Sequence, residues 1–143
     1  MMIKSALSAL DLPKQELDSA FLPLDLHGSQ YVGIGQDGEL YLIDWANGQR
    51  TQITSDGLPK VEAVLSEQYI AWMTQQGEAA VHIFVQNRLT GEQRRITGEP
   101  AARSQLAIDQ NRLVWADKRN ELAEGVWISW GGQPKQTNHQ IAH

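Results

Sequence analysis

The chain of 143 residues has no cysteine. This excludes a disulfide framework, a thiol nucleophile and any metal site built on thiolates. Long apolar runs are also missing, and no stretch approaches the length needed to span a bilayer. The opening residues, Met1 to Leu10, carry serines at 5 and 8 and meet Asp11 at once. That falls short of the unbroken apolar stretch of a secretory leader, so a cytoplasmic location is expected. Basic residues are outnumbered, 12 against 17 acidic ones, giving a net charge of -5. Neutralising phosphates requires clustered Lys and Arg, so neither nucleic acid nor a membrane surface is an expected partner. The densest basic spot, Arg94-Arg95, reads as two solvated residues on an outer strand.

Signatures of catalysis are equally scarce. No serine sits in a Gly-x-Ser-x-Gly elbow, and no glycine-rich phosphate loop opens a helix. Gly33-Ile34-Gly35 falls in a predicted strand with no helix after it. The four histidines, His27, His82, His139 and His143, are not read as metal ligands, the last two lying in a tail expected to fray. Asp37, Glu39, Asp44 and Asp56 gather in one region but match neither a paired-carboxylate geometry nor an Asp-x-Asp-x-Asp-Gly loop, and they read as turn and surface residues. No catalytic, cofactor-binding or metal-binding residue is therefore assigned.

What the chain does have is a repeat. Gly48-Gln49-Arg50-Thr51-Gln52-Ile53-Thr54 returns as Gly91-Glu92-Gln93-Arg94-Arg95-Ile96-Thr97, with the isoleucines 43 positions apart. Tyr69-Ile70-Ala71-Trp72-Met73 returns as Arg112-Leu113-Val114-Trp115-Ala116, with the tryptophans also 43 apart. Repeats of about 40–45 residues built from short apolar runs are the mark of β-propeller blades. The expected fold is all-β: a partial β-propeller of three four-stranded antiparallel blades, about residues 21–56, 57–99 and 100–139, after an N-terminal segment over residues 1–20. Pro13 to Ala20 offers helix formers with proline at the first turn, so that segment reads as helical or irregular.

Each blade divides into four strands. The first gives Leu22–Leu26, Tyr31–Gly35, Glu39–Asp44 and Gln49–Thr54. The second gives Val61–Ser66, Tyr69–Met73, Ala80–Gln86 and Glu92–Thr97. The third gives Ser104–Asp109, Arg112–Ala116, Gly125–Trp130 and Pro134–Asn138, with Asp117–Glu124 as an expanded hairpin loop. Asp37-Gly38 and Asn47-Gly48 supply the positive φ that tight hairpins need. In the third strands Leu40 and Leu42 align with Ile83 and Val85, and these with Ile128 and Trp130. Tyr41, Phe84 and Trp127 align on the opposite face. A sheet apolar on both sides has to be sandwiched between neighbours. Sharing one repeat position, Trp72 and Trp115 read as core, while His82 reads as a packing residue between blades or toward the channel.

These residues resemble the TolB-type six-bladed β-propellers and the related propeller domain of prolyl oligopeptidases. Asn111 to Asn120 is similar to that family's second strand and its Asp-x-Arg-Asn turn. Val81 to Val85 followed by Thr90 to Thr97 resembles its third strand and closing Arg-x-Ile-Thr. The likeness covers residues 25 to 138, but the Ser-Pro-Asp-Gly turn common in the family is absent. It implies a binding or scaffolding platform, a gating domain of a hydrolase, or a channel-site enzyme. Three blades are too few to close a propeller, which typically carries four to eight.

The leading expectation is a non-enzymatic interaction module that completes its fold by association, as a homo-oligomer or with a protein partner covering the open blade faces. Trp127, Trp130 and Tyr41 are the expected interface residues, tryptophan being enriched at such surfaces. The alternatives are a fragment or gating portion of a prolyl-oligopeptidase-like hydrolase, a channel-site propeller enzyme, or an N-terminal segment folding back as a lid.

Overall fold

A computed structural model of the protein describes residues 20–117, 123–127 and 136–140. The expected helical turns before Ala20 lie outside these residues, as does Trp130. All regular structure among the described residues is β, in twelve strands. They are β1 (Leu22–His27), β2 (Gln30–Ile34), β3 (Leu40–Asp44), β4 (Gln49–Gln52), β5 (Lys60–Leu65), β6 (Tyr69–Gln75), β7 (Val81–Asn87), β8 (Gln93–Arg95), β9 (Arg103–Asp109), β10 (Arg112–Asp117), β11 (Ala123–Trp127) and β12 (Gln136–Gln140). Each consecutive four form one antiparallel sheet paired in chain order. Tight hairpins dictate this meander, and Gly38, Gly48 and Gly91 adopt the positive φ that the turns demand.

The sheets stack through their faces. Val32, Leu40 and Ile53 of the first sheet and its exit meet Ala63, Leu65, Ile70 and Trp72 of the second in one core. Ala71, Met73, Ile83, Val85 and Ile96 meet Leu106, Leu113 and Trp115 of the third in another. The middle sheet is thus buried on both sides, as strict alternation along β6 and β7 requires. Trp72 and Trp115 are each 1% exposed and face the preceding sheet in their respective cores. Phe84 stacks on Trp72 at 5.8 Å with the rings 8° apart.

The first strands adjoin one another across the sheets, β1 beside β5 and β5 beside β9. Every sheet also has a β-bulge between its first two strands, near Pro23/Asp25, Lys60/Glu62 and Val114/Ala116. A bulge turns the following side chain to a new direction. Asp25 Oδ2 consequently accepts the backbone N–H of Leu65 at 2.8 Å. Glu62 accepts those of Gln105 and Leu106 at 2.9 and 2.8 Å. The first strands of the three sheets are tied together by these two carboxylates.

One alignment is corrected. In the third sheet Gly125 stands opposite Trp115, whereas Trp127 stands opposite Leu113. In the second sheet Phe84 is the residue opposite Trp72. Trp127 therefore lies two positions beyond the place of Tyr41 and Phe84, a pairing that the apolar pattern does not specify.

Candidate interaction surfaces and inter-sheet joints

The first sheet differs from the second at one point on its outer face. Where Trp72 pairs with Phe84, the first sheet pairs Gly33 with Tyr41. The vacancy left by glycine is filled from upstream. Phe21 stands edge-on to Tyr41 at 5.1 Å, and the Arg50 guanidinium lies 5.1 Å above the Phe21 ring. The Tyr41 hydroxyl donates to Asp37 Oδ2 at 2.6 Å. That bond holds the Asp37 carboxyl below its ordinary range and pushes the Tyr41 hydroxyl above its own. Ala20, Phe21, Gly35, Gln36, Asp37, Tyr41 and Arg50 border a shallow depression of about 350 Å³. Beside it, Tyr31 and Ile43 are opposite one another in register and buried. The Tyr31 hydroxyl has no hydrogen-bond partner, and burial raises its pKa.

A second recess lies where the first hairpins of the three sheets converge. His27, Ser66, Glu67, Gln68, Asp109 and Gln110 give it a polar rim around about 390 Å³. Ser66 Oγ donates to the Gln110 carbonyl at 2.9 Å, fixing the second hairpin against the third. A groove of about 490 Å³ separates the first two sheets on their outer side, with Leu42, Ile53 and Ile70 at its floor. Arg88 straps it at one end, donating to the carbonyls of Ser66 and Glu67 and to Gln30 Oε1.

The chemistry richest in charge sits at the crossovers from sheet to sheet. Between β4 and β5, Thr54 Oγ1 accepts the Leu40 N–H at 2.9 Å and donates to Glu39 Oε1 at 2.6 Å. Glu39 Oε2 accepts the Gly57 N–H at 2.7 Å. Lys60 Nζ, its side chain fully enclosed, lies 3.3 Å from Glu39 Oε1 and 2.6 Å from Asp56 Oδ1. Burial pushes both carboxyls up, but the hydrogen bonds and the ammonium outweigh it and hold Glu39 and Asp56 below their ordinary values. Glu39 is thus a buried joint residue and not the surface group its sequence context suggested.

The crossover from β8 to β9 repeats this arrangement with other residues. Thr97 Oγ1 accepts the Ile83 N–H at 3.1 Å and lies 2.9 Å from His82 Nδ1. Arg103 donates to the backbone carbonyls of Val81 and Glu99. Burial, reinforced by the cations Arg95 and Arg103, pushes the His82 pKa below its ordinary 6.5. His82 in this packing role agrees with the sequence reading. Lys60 and Arg103 were missed there, although they lie 43 positions apart like the threonines.

Among the described residues no cluster of His, Asp and Glu could hold a metal ion, and no helix is long and apolar enough to cross a membrane. Tyr41 is half-buried on the outer face of the first sheet. Trp127 ends β11, and Trp130 lies outside the described residues.

No family model and no curated protein matches the sequence. Solved structures do match by shape. The tricorn protease superposes with a TM-score of 0.62 at 17% identity, over 78% of this chain and 12% of that one. The computationally designed Ika4 protein gives 0.59 at 19% identity, over 88% and 78% of the two chains. The N-terminal domain of Nup159 gives 0.56 at 11% identity, over 81% and 29%. The chain therefore spans only a small part of the tricorn protease and of Nup159, and what it shares with all three is a propeller-like fold.

Proposed function

We propose that this chain is an interaction module of three TolB-like propeller blades whose stack is completed by a second protein surface, in the first instance another copy of itself. The observation that carries this reading is the difference between the sheets. The middle one has a described sheet packed on each face, whereas the first and third each have one. On the third sheet Val114, which alternates with the buried Leu113 and Trp115, is 38% exposed. On the first sheet's inner strand Leu26, opposite Tyr31, is 62% exposed. Apolar faces of this kind are covered by association when they belong to interaction surfaces. Tyr41, Trp127 and Trp130 are the anchors assigned to that contact.

The test is mass in solution by light scattering. A species of fixed size, a whole multiple of 16.0 kDa, supports self-completion. A monomer that aggregates on concentration points to a different protein as the covering surface. A well-behaved monomer overturns the module reading. The hydrolase-associated reading draws on the likeness to the tricorn protease. It predicts a hydrolase domain with its Gly-x-Ser-x-Gly encoded in or beside the same reading frame.

A further inference from the structure

The two crossovers share one architecture and carry opposite electrostatics. In the first, position 39 holds a carboxylate and position 60 a lysine, so the enclosed cation has Glu39 and Asp56 as counter-charges. In the second, the equivalent positions 82 and 103 hold a histidine and an arginine. The charged groups acting on the His82 ring are Arg95 from β8 and Arg103 from β9, both cations. From β6 the neutral Thr74 stands opposite it in register. Within the crossover Glu99 offers Arg103 its backbone carbonyl. The ring is 5% exposed as part of its residue, so water cannot screen an added charge effectively.

We propose that the second crossover is an acid-released latch: protonation of His82 sets a third positive charge against Arg95 and Arg103 and loosens the third sheet from the second, while the first crossover holds. The latch is a single titration at a joint that also positions the first residues of β9. Its release exposes the apolar face formed by Met73, Ile83 and Val85. The direction follows from linkage. A histidine held neutral by the fold takes up its proton more readily in the opened chain, so opening gains from about the ordinary value of 6.5 downward and stops gaining once the folded-state value is passed. The carboxylates of the first crossover are held below 4.5 and 3.8, so their pairing with Lys60 is untouched over the upper part of that range.

Hydrogen exchange followed by NMR on the whole chain, corrected for intrinsic exchange, tests this between pH values above and below 6.5. The opening equilibrium reported by amides of Leu106, Leu113 and Trp115 should rise by up to about tenfold per pH unit, the limit for one proton. Amides of Val32 and Leu40 should not change. The rise should begin near 6.5 and level off where the His82 ring titrates in the same samples. His82→Gln, which keeps a partner for Thr97 but cannot titrate, should abolish the response. His82→Glu, which copies the first crossover, should remove the response near 6.5 and shift it to the range below the ordinary carboxylate value of 4.5, with the same sign. Equal responses in the first and third sheets, a lower plateau unrelated to the titration of the His82 ring, or an unchanged response in His82→Gln would each overturn the latch. If both variants fail to fold, comparing that plateau with the ring titration in the unaltered protein still decides.

Discussion

Phe21 packs beside Gly33 through its Cβ, on the face where the next sheet in the chain places the indole of Trp72. A Cβ built on Gly33 would lie 3.0 Å from the Leu22 carbonyl oxygen and 3.4 Å from the Phe21 Cβ. Glycine here admits the aromatic ring of a preceding residue in place of a side chain of its own.

Gly33→Ala should therefore destabilise the protein, although alanine usually favours a strand by about 0.5–1 kcal/mol over glycine. The Leu22 oxygen is backbone and cannot swing aside. A loss on the order of 1 kcal/mol in chemical unfolding is expected. A neutral or stabilising result would show that Phe21 does not hold that position.

Lys60→Met should cost about 3–5 kcal/mol, because it leaves Glu39 enclosed without its counter-charge. Adding Glu39→Gln should recover part of this loss, giving a coupling energy in a double-mutant cycle. Asp56 is more exposed than Glu39 and should contribute the smaller share of that coupling.

Acid should weaken the first crossover only at low pH. Glu39 and Asp56 have folded-state values below their ordinary 4.5 and 3.8, so their contribution is complete above those values. It is lost as pH falls through the lower folded-state values, because the unfolded chain then binds more protons. Glu39→Gln should flatten this part of the stability curve while leaving the region near 6.5 unchanged.

Thr74→Val should raise stability. Thr74 is wholly buried, and its hydroxyl lacks a hydrogen-bond partner. Valine has nearly the same shape and removes the desolvated group, so a gain of about 1 kcal/mol is expected in thermal unfolding. By contrast, Trp115→Ala should cost about 3–5 kcal/mol through the cavity left between the second and third sheets.

The repeat carried most of the fold because side chains that are buried recur at their own spacing. Trp72 and Trp115 announced the strand that faces the preceding sheet, and Ile53-Thr54 and Ile96-Thr97 announced each crossover. What those threonines do was not legible, since their partners, the N–H groups of Leu40 and Ile83, lie in backbone that any sequence possesses. Lys60 and Arg103 could have been found by extending the same alignment, but a lysine and an arginine in polar surroundings look like surface. The register of the third sheet was unreadable for a different reason. Gly125 opposite Trp115 leaves no apolar residue to align. Phe21 escaped notice because the residue it complements is the absence of a side chain.

The carboxylate ties between inner strands give the molecule a polarity that its repeated sheets conceal. Asp25 serves a donor in β5, and Glu62 serves two in β9, where Gln105 adopts a φ of 61°. That left-handed turn at a residue other than glycine is unfavourable on its own, and the acceptor it needs belongs to the sheet synthesised before it. Deleting the last sheet leaves Glu62 free to be hydrated, whereas deleting an earlier one strands N–H donors in its successor. Removing the first or second sheet should thus cost its successor an acceptor, whereas removing the third costs the second the cover over Met73, Ile83 and Val85.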